Sequence, residues 1–286
     1  MLFSVTSHGQ GFSTSHQKQR LVQMMKAAGV QHVRVSAMQH PVISAQNGRD
    51  LRMILNAGMG LVVVVQATAG YLTLDEKAWA AYCRKVVQWL PIGGPGQTKV
   101  QPGNEMNTEF GTGKGIRPDA GKAVTYLRIA CDIILSKFPK MYLIAPGVTN
   151  ESKTQVSKGK ISARDFLEAL LAADLPFSSF GYHFYFDRPD KPKDLALLKS
   201  NIAYLKNNGG GRPIILTETG AADPMNALKW YGMLMRGELK GIEDAGWYCM
   251  DHHKAAGADF QLVDNALNPS PLYQRMVEDA TLGVGR

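Results

Sequence analysis

The chain alternates short β-rich runs with longer stretches of helical apolar spacing, eight times over, and few architectures accommodate that rhythm. Strands are expected at 2–5, 32–35, 61–65, 99–101, 142–145, 179–184, 213–217 and 245–250. Helices are expected at 17–28, 50–57, 76–90, 119–138, 163–173, 194–207, 227–235 and 270–280. Leu21, Met24, Met25 and Ala28 recur at helical spacing, and Gly29 supplies a stop. Val62 to Val65 is an unbroken β-branched run, as in strands buried on both faces of a parallel sheet. The Gly209-Gly210-Gly211 run closes another helix, and Pro271 sits where a first turn tolerates proline. Eight such pairs, with no linker or repeated block, predict an α/β fold: a single (β/α)₈ TIM barrel spanning 1–286 as one domain. A doubly wound open sheet would show a phosphate-binding glycine fingerprint after its first strand. The turn there reads Ser7-His8-Gly9-Gln10-Gly11-Phe12, whose two glycines are a weak match.

Composition narrows the partners. The 286 residues exceed the roughly 250 of a typical barrel only slightly. No apolar run approaches the roughly 18 residues of a membrane span, so no membrane partner is expected. The N-terminus shows no signal-peptide pattern, and the sequence leaves the location open. Cys83, Cys131 and Cys249 are sparse and contain no CxxC, so they read as buried thiols. Asp251-His252-His253 resembles a metal cluster, but adjacent histidines rarely converge on one ion. Neither a metal nor a cofactor is expected. Net charge is +8, with 16 Lys/Arg against 7 Asp/Glu in residues 1–143 and 16 against 17 thereafter. That balance suits an anionic partner. No nucleic-acid-binding motif accompanies it, so nucleic acid is not expected either. The chain is expected to act as a monomer.

In such a barrel, chemistry sits on the loops that follow the strands. The fourth strand runs into Gln101-Pro102-Gly103-Asn104-Glu105 and the seventh into Thr217-Glu218-Thr219-Gly220. Strands four and seven lie on opposite sides of an eight-strand ring, so Glu105 and Glu218 can meet across its mouth. Two facing carboxylates suit cleavage of a glycosidic bond, one giving a proton while the other attacks or stabilises the sugar cation.

With these residues in place, the chain resembles glycoside hydrolase clan A, the retaining TIM-barrel glycosidases, over its whole length. Asn104-Glu105 matches the clan's strand-four pair, and Glu218 its strand-seven glutamate. Arg34 matches strand two, His183-Phe184-Tyr185 the His-x-Tyr of strand six, and Trp247 strand eight. The closing stretch from Gln261 to Tyr273 is similar as well. Within the clan, the compact build is similar to family 39-like endoglycosidases, and Gln101-Pro102-Gly103-Asn104-Glu105 to the endo-galactanases. Gln66-Ala67-Thr68 departs from families that place a His after strand three.

The resemblance implies a retaining, endo-acting β-glycosidase acting on a polysaccharide by double displacement. Glu105 would be the acid/base and Glu218 the nucleophile. Arg34 would lower the pKa of Glu218, and Asn104 would bind the sugar 2-hydroxyl. Tyr185 would donate to Glu218, His183 would orient the pair, and Trp247 would offer a ring face. His8 ends the first strand and is a candidate to line the cleft. Glu109 and Asp187 read as solvated loop charges, and Gly93-Gly94-Pro95-Gly96 as a turn. Lys114, Arg117, Lys153, Lys158, Lys160, Arg188, Lys191 and Lys193, with Tyr71, Phe110, Tyr185 and Phe186, fall on the same side. They suggest a cleft for an acidic exopolysaccharide. The competing reading is a catalytically silent barrel that binds polysaccharide or serves as structure.

Overall fold

A computed structural model describes residues 2–6, 15–37, 45–66, 70–94, 96–108, 112–113, 116–151, 160–186, 195–248, 262–263 and 266–284. Nine parallel strands form one sheet: β1 Leu2–Thr6, β2 His32–Ala37, β3 Gly60–Val65, β4 Thr98–Pro102, β5 Tyr142–Leu143, β6 Val148–Thr149, β7 Phe180–Tyr185, β8 Ile214–Gly220 and β9 Ile242–Tyr248. Eight α-helices alternate with them among the described residues: Ser15–Ala27, Ala45–Asn56, Glu76–Trp89, Ala120–Lys137, Ala163–Ala172, Leu195–Asn208, Pro224–Met235 and Pro271–Thr281. The strand order is β5-β4-β3-β2-β1-β9-β8-β7-β6.

The two ends of that order belong to one segment. β5 pairs with β4, and β6 pairs with β7. The regular ladder stops between them, and a parallel bridge from Ile144 to Ser179 crosses the gap. Ser178 N donates to Leu143 O at 2.7 Å, and Ala145 N donates to Ser179 O at 2.9 Å. The nine strands thus occupy the eight positions of a (β/α)₈ barrel, with its fifth position split. Pro146 accounts for the break, because a proline cannot donate to the ladder. The sequence reading of one strand over 142–145 missed its second half beyond that proline.

Two layers of apolar side chains follow from the strand period of two. Val5, Val33, Leu61, Val63, Val65, Val100 and Leu143 face outward and join Met25, Trp79, Leu127, Phe166 and Trp230 of the helices in one cluster. Val62, Ile144 and Ile215 face inward and form a small separate cluster, with Tyr142 against it. The continuous Leu61–Val65 run is therefore apolar for both faces. Helix entry is set locally. Asp75, Asp119, Ser162, Asp223 and Ser270 each accept from the backbone N–H three residues on, and each such cap is worth about 1 kcal/mol.

Other elements differ from expectation as well. The Ala45–Asn56 helix begins five residues before the expected 50, and Gly48 inside it masked the signal. β8 continues past Thr217 to Gly220. Its polar end is held because Thr219 Oγ1 donates to Phe184 O at 2.6 Å and accepts from Trp230 Nε1 at 2.7 Å. β9 starts at Ile242 rather than 245. Cys83 and Cys131 are buried free thiols, as read from their spacing. Burial pushes both thiols up, Cys131 to about 12. Among the described residues, no helix is long and apolar enough to cross a membrane.

Candidate active site

The backbone aims the two glutamates before any side chain is considered. After β4, Gly103 has φ 79° and Glu105 φ 46°. The left-handed region costs a residue with a Cβ roughly 1–2 kcal/mol. That conformation is held by Glu105 N, which donates to Gly147 O at 2.9 Å, and by Thr108, whose N and Oγ1 both donate to Glu105 O at 2.9 Å. Asn107 pins the same turn to β6, donating from Nδ2 to Thr149 Oγ1 at 3.0 Å. Glu218 is aimed by irregularities instead. The register of β8 shifts against β7 at Tyr182/His183 and against β9 between Leu216 and Thr219. Bulges of this kind turn side chains toward a site.

The side chains then converge. Arg34 Nη1 donates to Glu218 Oε1 at 2.6 Å, and Nη2 donates to Asn104 Oδ1 at 2.8 Å. Tyr185 OH donates to Glu218 Oε2 at 2.5 Å. His183 Nδ1 lies 3.0 Å from Glu105 Oε1 and 3.6 Å from Glu218 Oε2. His183 is wedged so closely against Gly147 that a Cβ there would come within 2.0 Å of Nε2. One oxygen of Glu105, His183 Nδ1 or Nε2 and one oxygen of Glu218 all lie within 4.8 Å of one another. Arg34, Asn104, Glu105, His183, Tyr185 and Glu218 are all buried.

This packing sets different environments for the two carboxylates. Burial pushes the Glu218 carboxyl up, but His183, Arg34 and the Tyr185 hydroxyl pull it down. The net direction is below the usual carboxylate range, against the opposing charge of Glu105. Glu218 is thus held as the anion. Glu105 meets the ring of His183, whose Nδ1 lies 3.0 Å from Oε1.

Six of the eight residues proposed from sequence meet here. Trp247 does not: it is 1% exposed and lies in the main apolar core. Its chain neighbour Tyr248 reaches the mouth, edge-on to Tyr185 with centroids 5.9 Å apart. His8 lies outside the described residues, as do Glu109, Phe110, Lys114, Lys153, Lys158, Asp187, Arg188, Lys191, Lys193, Cys249 and Asp251-His252-His253. Of the expected basic and aromatic lining, Arg117 is exposed. Lys160 is instead tied to Glu151 at 2.9 Å. Tyr71 is buried against Tyr126, and the half-buried Phe186 stacks on Trp230. Gln101 was read from the sequence only as part of the strand-four motif and given no role, although it accepts from Arg34 Nε at 3.2 Å. A polar residue inside an otherwise buried strand was the available signal.

Glu105, His183 and Glu218 also carry the donor types of a metal site. Both oxygens of Glu218 already accept hydrogen bonds, from Arg34 and Tyr185, and the guanidinium supplies the positive charge an ion would bring.

No family model matches the sequence, and no curated protein matches it. Solved structures do. A glycoside hydrolase family 39 enzyme from Xanthomonas axonopodis pv. citri superposes with a TM-score of 0.73 at 12% identity over 98% of this chain and 66% of its own. An endo-β-1,4-glucanase of the same organism, carrying a triple mutation, gives 0.70 at 16% identity over 98% of both chains. An endo-β-1,4-mannanase from Thermotoga petrophila gives 0.70 at 12% identity over 99% of this chain and 77% of its own. The chain spans about two thirds of the length of the first of these, 66%. At these identities the likeness is one of fold, a TIM barrel.

Proposed function

We propose that this barrel is a retaining β-glycosidase that cleaves a polysaccharide internally, acting as one catalytic domain and as a monomer. The observation that carries the reading is the pair of carboxylate oxygens within 4.8 Å across the mouth. Retaining enzymes hold their carboxyl groups about 5–5.5 Å apart and inverting ones roughly 6.5–9.5 Å. The clan A likeness of the barrel supports the same class.

Glu218, held ionised beside Arg34, attacks the anomeric carbon. Glu105 gives its proton to the departing glycosidic oxygen, and a covalent glycosyl-enzyme forms. Glu105, now the anion, takes a proton from water, which displaces Glu218 and regenerates both groups. Asn104 offers Nδ2 to the 2-hydroxyl, because its Oδ1 is consumed by Arg34. The ring face expected of Trp247 passes to Tyr248 and Tyr185 at the mouth. Net charge of +8 and the exposed Arg117 favour an acidic polymer, whose hydrolysis should slow as salt rises.

The test is reducing-end release on a polysaccharide panel. Glu218→Gln is expected to lose on the order of 10⁴-fold or more in kcat. Equal activity in the variant and the unaltered protein would remove Glu218 from its role. Activity in neither would favour the silent barrel.

A further inference from the structure

Gln101, fully buried in β4, is the remaining anchor of this site. A guanidinium carries five N–H donors in a fixed fork. Here three acceptors hold it: Glu218 Oε1 on Nη1, Asn104 Oδ1 on Nη2 and Gln101 Oε1 on Nε. Only one of the three is charged. The other end of the Gln101 amide donates from Nε2 to Gly103 O and to Asn104 Oδ1, both at 3.1 Å. Asn104 Oδ1 therefore receives two N–H groups, which decides the flip of its amide and turns Nδ2 away from Arg34. Among the described residues, nothing takes a hydrogen bond from that Nδ2.

We infer that Gln101 is a positioning residue: it locks Arg34 and Asn104 in one lattice and, being neutral, reserves the guanidinium charge for Glu218. The inference deepens the glycosidase reading and rests on it for its catalytic consequence. A carboxylate at position 101 has nearly the same volume and accepts the same bond from Nε. It would nonetheless divide the charge of Arg34, place a second anion near Glu218 and lose the donor to Asn104. A role in packing alone would be indifferent to that exchange.

The variant Gln101→Glu separates the two. Its first readout needs no activity: ¹³C NMR titration of the Glu218 carboxyl, assigned by its disappearance in Glu218→Gln. The midpoint is expected to rise by on the order of one unit relative to the unaltered protein. The acid limb of kcat/KM is expected to move to higher pH with it, a loss of about tenfold in rate at the acid edge. An unmoved midpoint overturns the inference. A shifted midpoint in a protein inactive on every substrate upholds the lattice and sinks the glycosidase reading. Should Gln101→Glu not fold, Gln101→Met removes both ends of the amide at similar volume. It is expected to lower kcat about tenfold with KM little changed, and an unchanged kcat overturns the proposal. Failure of both variants to fold would overturn it too, by assigning Gln101 to the fold.

Discussion

The mouth and the floor of the barrel both hold polar and ionisable residues on β2 and β4, yet they treat charge in opposite ways. At the mouth, Arg34, Asn104, Gln101, Tyr185 and Glu218 are joined by hydrogen bonds of 2.5 to 3.2 Å. At the floor, two residues earlier on β2 and β4, stand His32 and Lys99, with Asp244 on β9. His32 Nδ1 and Asp244 Oδ1 are buried with no hydrogen-bond partner among the described residues, and Lys99 Nζ sits 5.1 Å from the centre of the Tyr142 ring. Burial, with the charge of Lys99, pulls His32 down to about 4. Burial pushes Asp244 up to about 6 against the pull of Lys99, and it also lowers Lys99. Desolvation alone drives groups toward neutrality, and a charge survives burial only where donors and a counter-charge are already in place. The floor follows the first half of that rule and the mouth the second.

The sharpest way to break the contrast is to make the mouth resemble the floor. Arg34→Met leaves Glu218 buried without its cation. It is expected to cost roughly 3–5 kcal/mol in urea unfolding at neutral pH, to shrink in cost at acid pH as Glu218 takes up a proton, and to abolish turnover. Equal cost at both pH values would mean that Arg34 contributes packing rather than charge. Glu105→Gln should lower kcat by roughly 10²–10⁴ and remove the alkaline limb of the pH profile. The loss should be smaller on aryl glycosides whose leaving group needs no proton. Tyr185→Phe should move the acid limb upward by about half a unit to one unit, because Glu218 loses a donor. Tyr248→Phe should leave that limb in place, and matching shifts in both would contradict the assignment.

The smallest expected effect tests the floor. His32 in the folded chain resists protonation, so its contribution is lost as pH falls from about 6.5 toward 4. Asp244 keeps its proton in the folded chain, so its contribution is lost as pH rises from about 3.8 through 6. Between these limits the slopes oppose. In Asp244→Asn the Tm should climb steadily over that window, and in His32→Gln it should decline. Profiles that both follow the unaltered protein would show that the floor does not titrate as argued.

The alternation of elements was readable from sequence because buried parallel strands and capped helices announce themselves locally. That Glu105 and Glu218 would meet was readable because they follow strands on opposite sides of an eight-position ring. Gln101 was not, since only the fork of Arg34, brought from β2, gives its amide a purpose. The exchange of Trp247 for Tyr248 at the mouth has a different cause. Side chains alternate with period two along a strand, and neighbouring residues face opposite ways. An element placed without its register cannot say which aromatic faces in. The continuation of β6 beyond Pro146 was hidden for a related reason: its partner, β7, lies more than 30 residues downstream.

The split fifth position also acts as a spacer. Gly147, just past Pro146, accepts the Glu105 N–H and abuts His183, whereas Glu218 and Arg34 hang from the continuous strands β8 and β2. The gap between the Glu105 and Glu218 carboxyls is therefore gauged by the seam of the ring, and not by the two glutamates themselves. A single residue added between Ala145 and Gly147 would lift Glu105 and His183 together. On the glycosidase reading proposed above, the room for a water that opens between the carboxylates would change the stereochemical outcome with every side chain of the mouth unaltered.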